Sequence, residues 1–237
     1  MSPFRIIPVL DLKHGSVVRA RTGDRANYHP IVTPLASGSA PRDVLLGLRG
    51  LAPFPVVYVA DLDAIAGEGD HRAALGALAA AAPGIEIWVD GGFATFEAAR
   101  ALLGPGMRPV MGSESLAAPG DLANALNAFG SAGFVLSLDY RGGAFLGPPE
   151  IQHRVELWPD RVILMTLDRV GSDGGPDLAA LSDLARRAEG RAVFAAGGVR
   201  HAQDLAALEA AGIAGALVAS ALHDGRLSAA DLARFLK

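Results

Sequence analysis

Cysteine is missing altogether from the 237 residues, which excludes disulfides, thiolate metal sites and cysteine nucleophiles. Aromatic residues are scarce, 6% against 51% hydrophobic. A core packed by aliphatic side chains and alanine is therefore expected, rather than one built on a few large aromatic anchors. No sign of charge dominates: 21 Lys and Arg stand against 25 Asp and Glu, a net −4. Without a basic stripe, nucleic acid or an acidic membrane is not the expected main partner. No stretch approaches the roughly 18 uninterrupted apolar residues of a membrane helix. The apolar segment Ile6 to Leu10 is short, ends at Asp11 and lacks the cleavage site of a signal peptide. The chain reads as a soluble cytoplasmic protein. Two motifs are also missing: a Gly-x-Gly-x-x-Gly turn after the first strand, which an open dinucleotide-binding sheet would need, and the Gly-x-Ser-x-Gly elbow of serine hydrolases.

What is present is alternation. Eight short apolar runs of strand character recur: 5–10, 56–60, 85–89, 109–111, 134–138, 162–165, 192–195 and 216–218. Between them lie Ala/Leu/Glu/Arg-rich stretches, such as 96–103, 178–188 and 202–210, whose apolar residues recur at three and four as in helices laid on a sheet. Alternation of this kind implies parallel strands with helical crossovers. Eight strands suffice to close, so the expected fold is a single (β/α)8 barrel, an α/β protein with residues 1–237 as one domain. The one long irregular stretch, from His14 to about Pro41, follows the first strand directly.

An internal repeat sharpens this to two similar half-barrels. Val89-Asp90-Gly91-Gly92 reappears as Ala195-Ala196-Gly197-Gly198, and Gly112-Ser113 as Ala219-Ser220. Asp61-Leu62-Asp63 parallels Thr166-Leu167-Asp168, and Leu10-Asp11-Leu12 parallels Leu138-Asp139-Tyr140. The matches keep the same order in both halves.

Residues at strand ends of a parallel barrel gather at its C-terminal mouth, so Asp11 and Asp139 should face each other there. Two carboxylates across a substrate can serve as proton donor and acceptor if their surroundings push their pKa values apart. The alternative is that each caps a turn or pairs with a nearby base such as Lys13 or Arg141. Gly91-Gly92 and Gly197-Gly198 let backbone amides approach an anion, and Gly112-Ser113 and Ala219-Ser220 can add an amide or hydroxyl. One phosphate per half, hence a doubly phosphorylated small molecule, is the expected ligand. Thr166 could hydrogen-bond substrate or simply satisfy its strand end. Asp61, Asp63 and Asp168 read as helix caps rather than metal ligands, and His14, His29, His71 and His201 show no ligand spacing and read as mostly surface residues. No metal or cofactor is expected.

The segments Ile7-Pro8-Val9-Leu10-Asp11-Leu12, Arg21-Thr22-Gly23-Asp24, Val59-Ala60-Asp61-Leu62-Asp63, Leu138-Asp139-Tyr140-Arg141-Gly142-Gly143 and Ala196-Gly197-Gly198-Val199 together resemble the histidine-pathway phosphoribosylformimino-aminoimidazole carboxamide ribotide isomerases. The likeness runs through nearly the whole chain and is closer to the isomerases than to their cyclase relatives, which usually carry lysine at the first catalytic position. It implies an Amadori rearrangement of a phosphorylated ribosylamine, needing two proton transfers and no cofactor. It also implies Asp11 as general base, Asp139 as general acid and Thr166 assisting. The chain departs from the pattern at Phe93-Ala94, at Ala219, which replaces a phosphate-site glycine, and after Thr166, where Leu-Asp-Arg-Val-Gly-Ser-Asp-Gly-Gly replaces an Arg-Asp-Gly-Thr loop. That loop is similar to one in isomerase-related barrels of organisms that use methanopterin-type one-carbon cofactors. A different reaction in synthesis of such a cofactor, or non-catalytic binding of a phosphorylated metabolite, are the alternative readings.

Overall fold

Ten strands make one sheet in the computed structural model, which describes residues 3–20 and 27–236. They are β1 (Arg5–Lys13), β2 (Ser16–Val18), β3 (Val56–Asp61), β4 (Glu86–Asp90), β5 (Met107–Gly112), β6 (Val135–Arg141), β7 (Ala144–Leu146), β8 (Arg161–Thr166), β9 (Ala192–Ala196) and β10 (Gly215–Val218). β2 and β7 pair antiparallel with β1 and β6; the other eight are parallel, and β10 closes onto β1. These eight coincide with the eight apolar runs, and the expected (β/α)8 barrel is the observed architecture.

The helices are α1 (Pro41–Leu51), α2 (Leu62–Ala66), α3 (Arg72–Ala81), α4 (Phe96–Leu102), α5 (Pro119–Phe129), α6 (Leu178–Arg187), α7 (Ala202–Ala210), α8 (Ser220–His223) and α9 (Ala229–Ala233). Several start as their sequences dictate. Thr95 and Asp177 accept hydrogen bonds from the amides of Ala98 and Ala180, and Ser228 forms a capping box with Asp231. Among the described residues no helix is long and apolar enough to cross a membrane.

Strand alternation divides the apolar side chains into two layers. Ile6, Leu10, Val57, Val59, Leu136 and Leu138 point outward and pack with leucines of the helices, such as Leu48, Leu78, Leu122, Leu184 and Leu208. Ile7, Val56, Tyr58, Trp88, Val110, Val135, Ile163, Phe194 and Leu217 fill the barrel itself. The centre of that inner layer is aromatic: Trp88 of β4 meets Phe194 of β9 edge-on, with ring centroids 5.1 Å apart. This corrects the expectation of a core without large aromatic anchors. Aliphatic chains do line the helix interface, but the middle of a closed ring is filled from few positions, so single large rings occupy it.

The halves repeat in a further respect that composition does not reveal. Each opens with a strand that runs past the barrel rim and folds back through a two-residue turn with both φ angles positive. These turns are His14-Gly15 (48° and 78°) and Gly142-Gly143 (57° and 79°). An aspartate secures each: Asp63 accepts from the His14 amide at 2.9 Å, and Asp168 from the Gly142 amide at 3.2 Å. The stretch after His14 is thus partly ordered as β2, while Arg21-Thr22-Gly23-Asp24 lies outside the described residues.

Asp61 is fully buried and accepts from Ala64 N, His71 N and His71 Nδ1, the last two at 2.7 Å; Gly15 N in turn donates to His71 Nε2 at 2.8 Å. That acceptor role fixes the proton of His71 on Nδ1. His71 is therefore a buried strut and not a surface residue, whereas His14, His29 and His201 are exposed. Asp61 caps α2 through the Ala64 amide as its position predicted, whereas Asp63 and Asp168 cap no helix and instead accept the turn amides of His14 and Gly142.

Candidate active site

One cavity occupies the C-terminal mouth of the barrel. Strand ends supply its floor: Val9 and Asp11 from β1, Tyr58 and Ala60 from β3, Asp90 from β4, Asp139 from β6, Met165 from β8 and Ala196 from β9. Register explains the grouping. Asp11 pairs with Ala60, Ala60 with Asp90, Asp139 with Met165 and Met165 with Ala196, so these residues share one inward-facing layer above the aromatic plug. The rim comes from Glu114, from Leu167, Val170, Gly171 and Ser172 after β8, from Gly197-Gly198, from Ala219-Ser220 and from Arg226.

Asp11 and Asp139 therefore line the same cavity, as their matched positions predicted. Asp139 is 5% exposed and well held. Its Oδ1 accepts from Ser137 Oγ at 2.6 Å, and its Oδ2 from Glu114 N at 3.1 Å and Ser113 Oγ at 3.2 Å. Burial is the largest influence on this carboxyl and raises its pKa to about 7, helped by the charges of Asp90 and Glu114 and opposed by the bonds from Ser137 and the Glu114 amide. A carboxyl in that range holds its proton through half the molecules near neutrality and can give it up. Asp11 is half-buried. Tyr58 donates to Asp90 Oδ2 at 2.9 Å, and its own pKa lies well above the ordinary value, from burial first and then from the charges of Asp90, Asp139 and Asp11. It remains a neutral donor.

The two glycine half-sites are unlike. Gly197, Gly198, Ala219 and Ser220 all line the cavity. Gly197 and Gly198 have φ of 103° and 86°, and a side chain at Gly198 would run into the carbonyl of Gly175, so the turn is restricted to glycine. Gly91, Gly92, Gly112 and Ser113 do not line it. Gly92 N donates to Asp90 Oδ1 at 3.0 Å, and Ser113 is fully buried beneath Asp139. Thr166 also falls elsewhere. It pairs with Tyr140, one residue beyond the inward-facing Met165, and alternation turns it to the outer face, where it lines a separate cleft with Asp168, Arg169 and Arg187.

Tyr58, Asp90, Glu114 and Arg226 were not picked out from the sequence. For two of them a signal existed. Asp90 stands where the repeat has Ala196, and Glu114 where it has Ala221; a carboxylate that breaks a repeat at a strand end marks a site.

Comparison with known proteins places the chain among recognisable relatives. The family model described as histidine biosynthesis protein matches residues 5–228. A protein of Paracoccus denitrificans is 35% identical over 234 residues, covering 94% of this chain and 95% of its own length. One of Thermomicrobium roseum is 33% identical over 236 residues (94% and 93%), and one of Streptococcus sanguinis 30% over 240 (95% and 95%). All three are named 1-(5-phosphoribosyl)-5-((5-phosphoribosylamino)methylideneamino) imidazole-4-carboxamide isomerase.

Proposed function

The chain belongs to the histidine biosynthesis protein family, and from that premise we propose that it is an aldose–ketose isomerase performing an Amadori rearrangement on a phosphorylated ribosylamine. The observation that carries this reading is the pair of carboxylates, Asp11 and Asp139, at equivalent positions of two half-barrels and on one cavity. Asp139, protonated in about half the molecules near pH 7, gives its proton to the ring oxygen of the ribosylamine. The C1–O bond breaks and the nitrogen lone pair forms an iminium at C1. Asp11 then takes the proton from C2, and the electrons of that C–H bond neutralise the iminium to an enaminol. Protonation at C1, with loss of the O2 proton, completes the aminoketose. Each general acid or base step of this kind contributes about 10²–10⁴ in rate. Gly197, Gly198, Ala219 and Ser220 hold a substrate phosphate through amides and a hydroxyl, beside Arg226. Thr166, on the other face of β8, supports the turn at Gly197, against which its carbonyl packs.

The test uses the glycosylamine formed from ribose 5-phosphate and an aromatic amine, followed by NMR in deuterium oxide. The expected product is the 1-amino-1-deoxyketose with one solvent deuteron at C1, and Asp11→Asn and Asp139→Asn should each lower turnover by about 10²–10⁴. Unchanged turnover in both variants would refute the assignment.

A further inference from the structure

We infer that this chain anchors its substrate by one phosphate only, at the Gly197–Ser220 half-site, and that Asp90 occupies the anion position of the other half-site. The inference rests on the isomerase reading for what the substrate is, but its argument is one of geometry.

By the repeat, Gly91-Gly92 with Gly112-Ser113 should cradle an anion as Gly197-Gly198 with Ala219-Ser220 does. The cradle exists, and the protein fills it with its own carboxylates. Gly92 N donates to Asp90 Oδ1 at 3.0 Å. Glu114 N and Ser113 Oγ donate to Asp139 Oδ2 at 3.1 and 3.2 Å. The space over Gly112, where a phosphate oxygen would approach, is bounded by Asp139 Oδ2 and Asp90 Oδ2, 3.2 and 3.9 Å from the point a Cβ would take. The glycine turn is closed from behind as well: the Phe93 ring lies 2.8 Å from the Cβ position of Gly91, and the Ile65 backbone 2.9 Å from that of Gly92. Tyr58 Oη donates to Asp90 Oδ2 and holds it in place. A phosphate dianion there would have to displace two carboxylates from the amides they occupy and stand against their charge.

The equivalent place in the second half is built the opposite way. Ala196 stands where Asp90 does, its methyl reaching no amide, and Gly197, Gly198 and Ser220 all open onto the cavity. Asp90 is therefore a specificity-determining residue. A doubly phosphorylated substrate is rejected at that end, and one with a phosphate at one end and none at the other is accepted.

Phosphate-soaked crystals and paired kinetics test this. The expected density is one phosphate at Gly197–Ser220 and none at Gly91–Ser113, with a second appearing in Asp90→Gly, where the Gly92 amide is released. Wild-type kcat/KM should favour the ribose 5-phosphate glycosylamine at least tenfold over the doubly phosphorylated compound named for the relatives, and Asp90→Gly should reverse or abolish that ratio. Should Asp90→Gly fail to fold, Asp90→Asn keeps an acceptor for Tyr58 and removes the charge, and should lower the ratio. Phosphate at both half-sites of the wild type, at neither, or an equal or inverted wild-type ratio overturns the inference. Correct phosphate occupancy with no turnover of either compound leaves the single anchor standing and removes the isomerase reading instead.

Discussion

Replacing Asp139 by asparagine should make the protein more stable at alkaline pH and leave it nearly unchanged in acid. The carboxyl titrates at about 7 in the folded chain against 3.8 for its ordinary value. That is a shift of about 3 units, or roughly 4 kcal/mol at 1.36 kcal/mol per unit. The direction follows from proton counting. Between about pH 4 and 7 the folded chain holds a proton that the unfolded chain has released, so stability falls as pH rises through that window. The contribution of this group is complete below about pH 4 and lost above 7, where a charged carboxylate stays buried beside Asp90 and Glu114.

Asparagine keeps the shape and cannot ionise. Its carbonyl, in the place of Oδ2, can still accept from Glu114 N and Ser113 Oγ, and the hydroxyl of Ser137 can turn to accept from its amide. Urea unfolding of wild type and Asp139→Asn at pH 4, 5.5, 7 and 8.5 should show a stability difference that is small at pH 4. It should then grow toward about 4 kcal/mol in favour of the variant at 8.5. The same variant should lose turnover at every pH. A difference constant with pH, or one favouring the wild type more as pH rises, would refute both the raised pKa and the role of Asp139 as acid.

Trp88→Ala should destabilise by about 3–5 kcal/mol, read from denaturant midpoints, because a fully buried ring is removed from the middle of the barrel and Phe194 loses its edge partner. Asp61→Ala should cost at least about 3 kcal/mol, since three donors, from Ala64 and His71, lose their acceptor in a fully buried place. Asp61→Asn should cost less, and equal losses would show that the hydrogen bonds are not what Asp61 supplies.

The barrel was legible because each inner strand is apolar on both faces, which makes short continuous runs punctuated by glycine. The repeat made Asp11 and Asp139 legible for the same reason, as two equal positions of one frame. What escaped was whatever depends on parity and on neighbours from other strands. Thr166 looked like a third member of the site by its place at a strand end. Its partner is Tyr140, not Asp139, and that one-residue offset turns it away. Gly91-Gly92 looked equal to Gly197-Gly198 because glycines record only the absence of a side chain. Whether the space is left to a ligand or taken by Asp90 depends on the residue before them. The rim hairpins at His14-Gly15 and Gly142-Gly143 were hidden because strands of three residues carry little periodicity.

Two breaks in the repeat bear on the proton of Asp139. Asp139 is flanked by Gly112-Ser113-Glu114 and faces Asp90; the equivalent surroundings of Asp11 are Ala219-Ser220-Ala221 and Ala196. Both breaks place carboxylates near Asp139, and their charges add to burial in driving it toward the protonated form. Asp90 ranks ahead of Glu114 among the charges that raise Asp139. Asp90→Asn should therefore lower the pKa of Asp139 and move the alkaline limb of kcat to lower pH, while its acceptor for Tyr58 remains. Ala196→Asp, on the other half, should weaken phosphate binding at Gly197–Ser220. If Asp90→Asn leaves the limb where it was, the charge of Asp90 does not reach Asp139, and the part assigned to this break in the repeat fails.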